Sequence, residues 1–178
     1  VRDLVVEFKA AEGLIRAVDG VSFTVPEGKT VALVGESGSG KSVVSQTIMQ
    51  ILPNTGNIVG GEVLFHDPDN LGSFVDLAKL PANSKEMRAV RGKRISIIFQ
   101  EPMTSLSPLH TIGNQISETL LLHQDVSKKH ALEMTTEMLR MVGFPTPEQS
   151  VYKYPFELSG GLRQRAMIAM ALVCRPAL

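Results

Sequence analysis

The sequence predicts an α/β fold with a block of helices in its second half. Two observations carry this. Short apolar runs bounded by glycine and proline occupy the chain up to about residue 100, and helix-period patterns with recognisable caps follow. Val5–Phe8 and Val18–Val25 read as strands, the second alternating at period two. Pro26–Lys29 is a turn. Thr30–Val34 is a continuous apolar run, the pattern of a strand buried on both faces. A glycine-rich loop comes next, then a helix from Ser42 to about Leu52, mediocre by propensity because of its β-branched residues and ended by Pro53. Gly60-Gly61 leads into a strand at Glu62–Phe65, and Asp67–Asn70 marks a loop. Ser84 suits the cap of a short helix reaching Arg91, and Arg94–Phe99 is again a buried-strand pattern.

Beyond Pro102 the pattern becomes helical. Ile112–His123 is predicted as one helix and Ser127–Val142 as a second, capped by Ser127 and stopped by Gly143. In the second, Leu132, Met138, Leu139 and Val142 form an apolar stripe that Thr135 interrupts. Pro145–Pro155 reads as a loop, and a last helix runs from Gly160 to about Cys174.

With 178 residues the chain is long enough for one apolar core and too short for two comfortable ones. Eighteen basic and eighteen acidic residues cancel, so no broad basic field for nucleic acid is expected. No apolar run reaches the roughly 18–20 residues that span a bilayer. The start, Val1-Arg2-Asp3, lacks a charged-then-apolar leader, and neither it nor Arg175–Leu178 reads as a natural terminus. A non-secreted fragment of a longer chain is expected. The single cysteine, Cys174, is expected to be a small buried apolar residue.

Residues 35–42 read GESGSGKS and match G-x-x-x-x-G-K-[ST] at every fixed position. A triphosphate carries dense negative charge that must be held without side chains in the way. Gly35, Gly38 and Gly40 let the backbone curl so that successive N–H groups, including those of Glu36, Ser37, Ser39 and Val43, face one concavity. The helix opening at Lys41 adds its positive end. Lys41 can reach the β- and γ-phosphates, and the Ser42 hydroxyl can ligate Mg²⁺. A chance glycine turn would not also sit between a predicted strand and a predicted helix.

A second anion-binding device lies at residues 157–165, ELSGGLRQR. Ser159 stands where a helix cap belongs, and Gly160 and Gly161 leave the backbone bare beside the helix's positive end. A helix cap needs no ligand, but after a phosphate-binding loop and an inserted helical block an anion-binding role is the better reading.

These residues resemble the ABC ATPases. GESGSGKS is similar to their Walker A loop, LSGG at Leu158–Gly161 to their signature motif, and Gln100 to their Q-loop glutamine. QEPMTSLSP at 100–108, TIGNQI at 111–116 and AVDGVSF at 17–23 resemble the branch that energises oligopeptide, dipeptide and nickel importers. The resemblance covers essentially the whole chain. It implies a P-loop NTPase with a RecA-like core sheet and an inserted ABC α-helical subdomain, the C-terminal part of the core being missing. The division it implies is an ATP-binding core at 1–100, a helical subdomain at 101–158 and a signature helix returning to the core at 159–178.

The same resemblance implies a function. Two subunits, identical or paralogous, would sandwich two ATP molecules with Mg²⁺. Lys41 and Ser42 of one subunit would face Ser159 and Gly161 of the other, and Gln100 would ligate Mg²⁺ or position water. The expected partners are that second ATPase subunit, integral-membrane permease subunits and, indirectly, an extracytoplasmic solute-binding protein, with no nucleic acid. The expected location is the cytoplasmic face of the inner membrane, peripherally.

Several departures matter. The family continues past the position of Leu178 into a strand ending in aspartate and a catalytic glutamate, then a switch histidine. These 178 residues alone are therefore expected to hydrolyse ATP negligibly. His66, His110, His123 and His130 do not fall at the switch position and are expected at the surface or in loops. The family's adenine-stacking aromatic would be Phe8 or Phe23, with core packing the better reading of Phe23. Leu162 stands where many members have glutamine or methionine, a nearly volume-conserving change from the latter. Two other classes compete: an ABC-type ATPase acting on DNA or ribosomes, which would need a long coiled coil or twin cassettes, and a P-loop kinase or regulatory module, which would need an acceptor lid at 102–156.

Overall fold

The computed structural model describes residues 1–67, 74–101 and 105–178. Of the predicted Asp67–Asn70 loop only Asp67 is described, and Pro102–Thr104 of the QEPMTSLSP stretch also lie outside the described residues. The chain forms two compact units, Val1–Arg88 and Ala89–Leu178.

The first unit is built on β1 (Arg2–Ala10), which lies between β2 (Gly13–Val21) and β3 (Gly56–Glu62), antiparallel to both. Val6 pairs with Val18 on one side and Ile58 on the other. Leu4 and Val6 are fully buried, so this face of the sheet carries the unit's core. β2 starts earlier and ends earlier than the predicted Val18–Val25. Cross-strand pairs from Phe8–Ile15 to Ala10–Gly13 continue the ladder down to a tight hairpin. At the other end, Phe23 exchanges two backbone hydrogen bonds with Val1, each 3.0 Å.

α1 (Lys41–Ile48) is shorter than predicted. Gln50 turns into the left-handed region, φ 52°, and its Nε2 donates to Leu77 O at 2.7 Å. The predicted strand at Glu62–Phe65 is split: β3 ends at Glu62, and β4 (Leu64–His66) pairs instead with β5 (Phe74–Asp76). Asp76 accepts from the amides of Val63 and Ala78 and pairs with Lys79 at 3.0 Å. Burial pulls this carboxyl upward, but Lys79 and the two amides outweigh it and hold it below the usual range. α2 (Lys85–Val90) is capped by Ser84, whose Oγ accepts from Met87 N–H at 3.0 Å.

The predicted strand Thr30–Val34 forms no ladder among the described residues, and Val34 is 92% exposed. A run patterned for burial on both faces acquires strand structure only from neighbours on both sides. Here the ladders join β1 to β2 and β3, and β4 to β5.

The second unit is helical. It comprises α3 (Ile112–His123), α4 (Lys128–Met141), the single turn α5 (Pro147–Ser150) and α6 (Gly160–Leu172). Thr111 caps α3 and Ser127 caps α4, each accepting at 3.2 Å from the amide three residues on. Ile112, Ile116 and Leu120 of α3, Leu139 of α4 and Ala166 and Ala169 of α6 are fully buried in one cluster. Each large side chain here contributes about 1.5–3 kcal/mol. Arg94–Phe99, predicted as a strand, forms no ladder among the described residues; near its start Arg94 O accepts from Ala177 N–H and Ser96 N–H donates to Leu178 O.

Thr135 does not merely interrupt the stripe of α4. It is fully buried, and its hydroxyl has no hydrogen-bond partner. Thr135→Val keeps the shape and removes the orphaned group, so the second unit should gain about 1 kcal/mol. Denaturant unfolding of the variant checks this, and a loss of stability would contradict it.

Candidate functional site

The glycine loop of the first unit is already curled around a cation, the ammonium of Lys41. Nζ donates to Gly35 O at 2.8 Å, Glu36 O at 2.6 Å and Ser39 Oγ at 3.1 Å, which occupies all three of its protons. Gly38 and Gly40 lie at φ +81° and +88°, the left-handed region that favours glycine. Gly40 has a second reason to be glycine. A β-carbon there would stand 2.5 Å from Ala17 O on β2, so the helix start can approach the sheet only without one. Ser39 N–H closes a turn onto Glu36 O at 3.2 Å, and Val44 N–H begins the α1 ladder on Gly40 O at 3.0 Å. Ser37, Ser42 and the rest of the loop's outer surface are exposed, and Val43 is half-buried behind them. Open amides, a left-handed backbone and a captive ammonium suit a polyphosphate.

In the second unit, Ser159 caps α6, its Oγ accepting from Leu162 N–H at 3.4 Å. β-carbons built on Gly160 and Gly161 meet nothing within 4 Å. Glycine costs a helix about 1 kcal/mol relative to alanine, and among the described residues no neighbour crowds these two positions. An open cleft of about 540 Å³ borders the motif, lined by Gly143–Pro145 and by Ser159, Gly161, Leu162 and Arg165. The Arg165 guanidinium donates to Gly143 O.

The sequence model of ABC transporters matches residues 18–178. The chain belongs to the ABC transporter family. This ABC chain is 50% identical over its whole length to a probable peptide ABC transporter ATP-binding protein of Sinorhizobium fredii, covering 51% of that protein. It is 47% identical, again over its whole length, to the oligopeptide transport ATP-binding protein OppD of Bacillus subtilis, covering 48% of it. The chain thus spans about half the length of these curated relatives. Among solved structures it is similar to the ATP-binding cassette MJ0796 in a dimeric post-hydrolysis state bound to ADP and Pi. The TM-score there is 0.81 at 26% identity, with 98% of this chain and 69% of that one covered. The expected fold, a P-loop NTPase of the ABC type, agrees with that likeness and with the mixture of sheet and helix found here.

Gln100 of this ABC chain is exposed at the end of the Arg94–Phe99 segment and belongs to the second unit, with Ser159, Gly160 and Gly161. Gly35, Ser39 and Lys41 are brought together in the first. His66, His110 and His130 are exposed, whereas His123 is half-buried beside Gly92 in the last turn of α3. Burial, with Lys93 nearby, depresses its imidazole pKa. Cys174 is buried, as expected, and burial raises its thiol. Phe8 and Phe23 are both half-buried, and the Phe8 ring lies against Gly56. Arg165 was not legible as a residue of this cleft, because its partner, Gly143 O, is brought near only by folding.

Proposed function

We propose that the full protein carrying this chain is the ATP-binding subunit of a membrane importer, coupling ATP binding and hydrolysis to uptake of peptides or a related solute. The observation that carries this is the pair of helix starts. α1 opens behind a loop that cages its own lysine, and α6 opens behind Ser159 with two glycines that no described neighbour crowds. Two such subunits, two copies or this chain with a paralogue, bring one device of each kind to the same triphosphate. The relatives' names and the dimeric cassette support this reading.

In this arrangement the amides of Gly35–Val43 hold the phosphates, and Lys41 turns from its carbonyl cage toward the β- and γ-oxygens. Ser42 on the first turn of α1 and Gln100 are the side chains that would hold Mg²⁺, which when bound neutralises charge on those phosphates. Ser159, Gly160 and Gly161 of the partner subunit close on the γ-phosphate through bare amides and a hydroxyl. Phe8, one strand away from the Gly40–Ala17 contact, offers an aromatic for the base. The subunit sits at the cytoplasmic face of the inner membrane on its permease, with a solute-binding protein acting from the other side.

Gly161→Ala tests the arrangement. Its β-carbon meets open space, so the variant should keep its fold, with up to about 1 kcal/mol gained in α6. It should bind ATP within about twofold of wild type yet pair about tenfold more weakly in a slowly hydrolysed ATP analogue, measured by sedimentation. Full-length wild-type protein that stays unpaired at saturating nucleotide would overturn the proposal.

A further inference from the structure

We infer that Gln115 is a positioning residue that fixes the Ser107–His110 turn on the start of α3, the same helix start whose amides hold the segment leading into Ser159. The inference rests on reading Ser159 as the second half-site.

The observation is a three-bond clamp. One turn into α3, Gln115 Oε1 accepts from Ser107 N–H at 2.8 Å. Its Nε2 donates to Ser107 O at 3.0 Å and to His110 O at 2.9 Å. The turn it grips has no regular structure, so these backbone groups have no ladder to satisfy them. A side-chain amide is a neutral group that offers an acceptor and two donors together. Ser107 Oγ and His110 Nδ1, 3.0 Å apart, close the same turn, and Leu106 is buried in the unit's core.

The other side of the same helix start is also occupied. The first amides of a helix have no partner within it. Here Ile112 N–H donates to Lys153 O and Gly113 N–H to Val151 O, each at 2.8 Å. The approach is so close that a β-carbon on Gly113 would stand 2.6 Å from Val151 O. From Lys153 the chain passes through one tight turn, Pro155–Glu157, held by Arg163 Nε to Pro155 O at 2.7 Å, and reaches Ser159. One helix start is therefore bonded on one flank to the Ser107–His110 turn, through the Gln115 side chain, and on the other to the approach to Ser159, through the amides of Ile112 and Gly113.

The test uses the full-length protein with two variants, Gln115→Leu, which removes all three bonds, and Gln115→Glu, which keeps the length and one acceptor. Thermal unfolding establishes that each is folded. Both should bind ATP within about twofold of wild type, because the glycine loop belongs to the other unit. Nucleotide-driven pairing should fall on the order of tenfold, with kcat reduced and KM for ATP unchanged. In Gln115→Glu a carboxylate faces two carbonyls, and protonation restores a donor, so pairing should recover as the pH is lowered toward about 5.5. A folded Gln115→Leu that pairs and turns over like wild type overturns the inference, as does an equal loss of ATP affinity and pairing. If Gln115→Leu does not fold, absence of pH recovery in Gln115→Glu overturns it instead. Wild-type protein that never pairs strikes the two-half-site reading itself, whereas equal pairing by wild type and variant strikes only the clamp.

Discussion

Replacing Lys41 by alanine should weaken Mg-ATP binding by about 1.5–3 kcal/mol, roughly 10- to 150-fold, while leaving the first unit folded. The loss is that of a charge-assisted contact to phosphate. The lower half of the range is favoured, because Lys41 already has three acceptors in Gly35 O, Glu36 O and Ser39 Oγ. Binding nucleotide exchanges some of these for phosphate oxygens rather than creating bonds from nothing. Those internal contacts are exposed, so their removal should cost the fold well under about 1 kcal/mol. Calorimetric titration of the folded variant is the measurement. An unchanged affinity would mean that the caged ammonium never meets the ligand and that the loop is a structural turn.

The second large effect belongs to Gly40→Ala, which should lower the stability of the first unit by about 2–4 kcal/mol and abolish nucleotide binding. Two costs act together. An L-residue in the left-handed region loses about 1–2 kcal/mol, and Gly40 sits at φ +88°. Its β-carbon would also be driven to 2.5 Å from the Ala17 carbonyl, a backbone atom that cannot swing aside. Overpacking of this kind costs about 1–3 kcal/mol. The strand or the helix start must move, and either displacement opens the amide cradle. Urea unfolding with and without ATP separates the two consequences. A variant that unfolds within about 1 kcal/mol of wild type and still gains stability from ATP would sink the account.

Local chemistry was legible and pairing was not. The helix at Ile112–His123, the caps at Ser127 and Ser159 and the stop at Gly143 could be read because each depends on residues within one turn of it. The glycine loop was legible for the same reason, its curl being set by its own glycines. Strands were harder. Thr30–Val34 and Arg94–Phe99 carry strand-like patterns, yet whether they form a ladder depends on partners far away in sequence. The first half of β2 lies outside the predicted Val18–Val25, because the pairs beyond Phe8–Ile15 involve Leu14 and Gly13, which carry no alternating pattern. Thr135 was read as a polar break in an apolar stripe, and only burial reveals it as a core position with an orphaned hydroxyl. Gln115 gave no local sign at all, since its clamp reaches back across the helix cap to a turn without pattern.

The backbone hydrogen bonds that join Arg94 and Ser96 with Ala177 and Leu178 have a consequence for biosynthesis. They join points about 80 residues apart, and such non-local closure is slow to form. At about 5–20 residues per second on the ribosome, roughly 4–16 s separate the emergence of the two ends. In that interval α3 and α4 emerge and can pair in the growing chain, while Ile98 and Phe99, solvent-facing even in the folded unit, remain available to a chaperone.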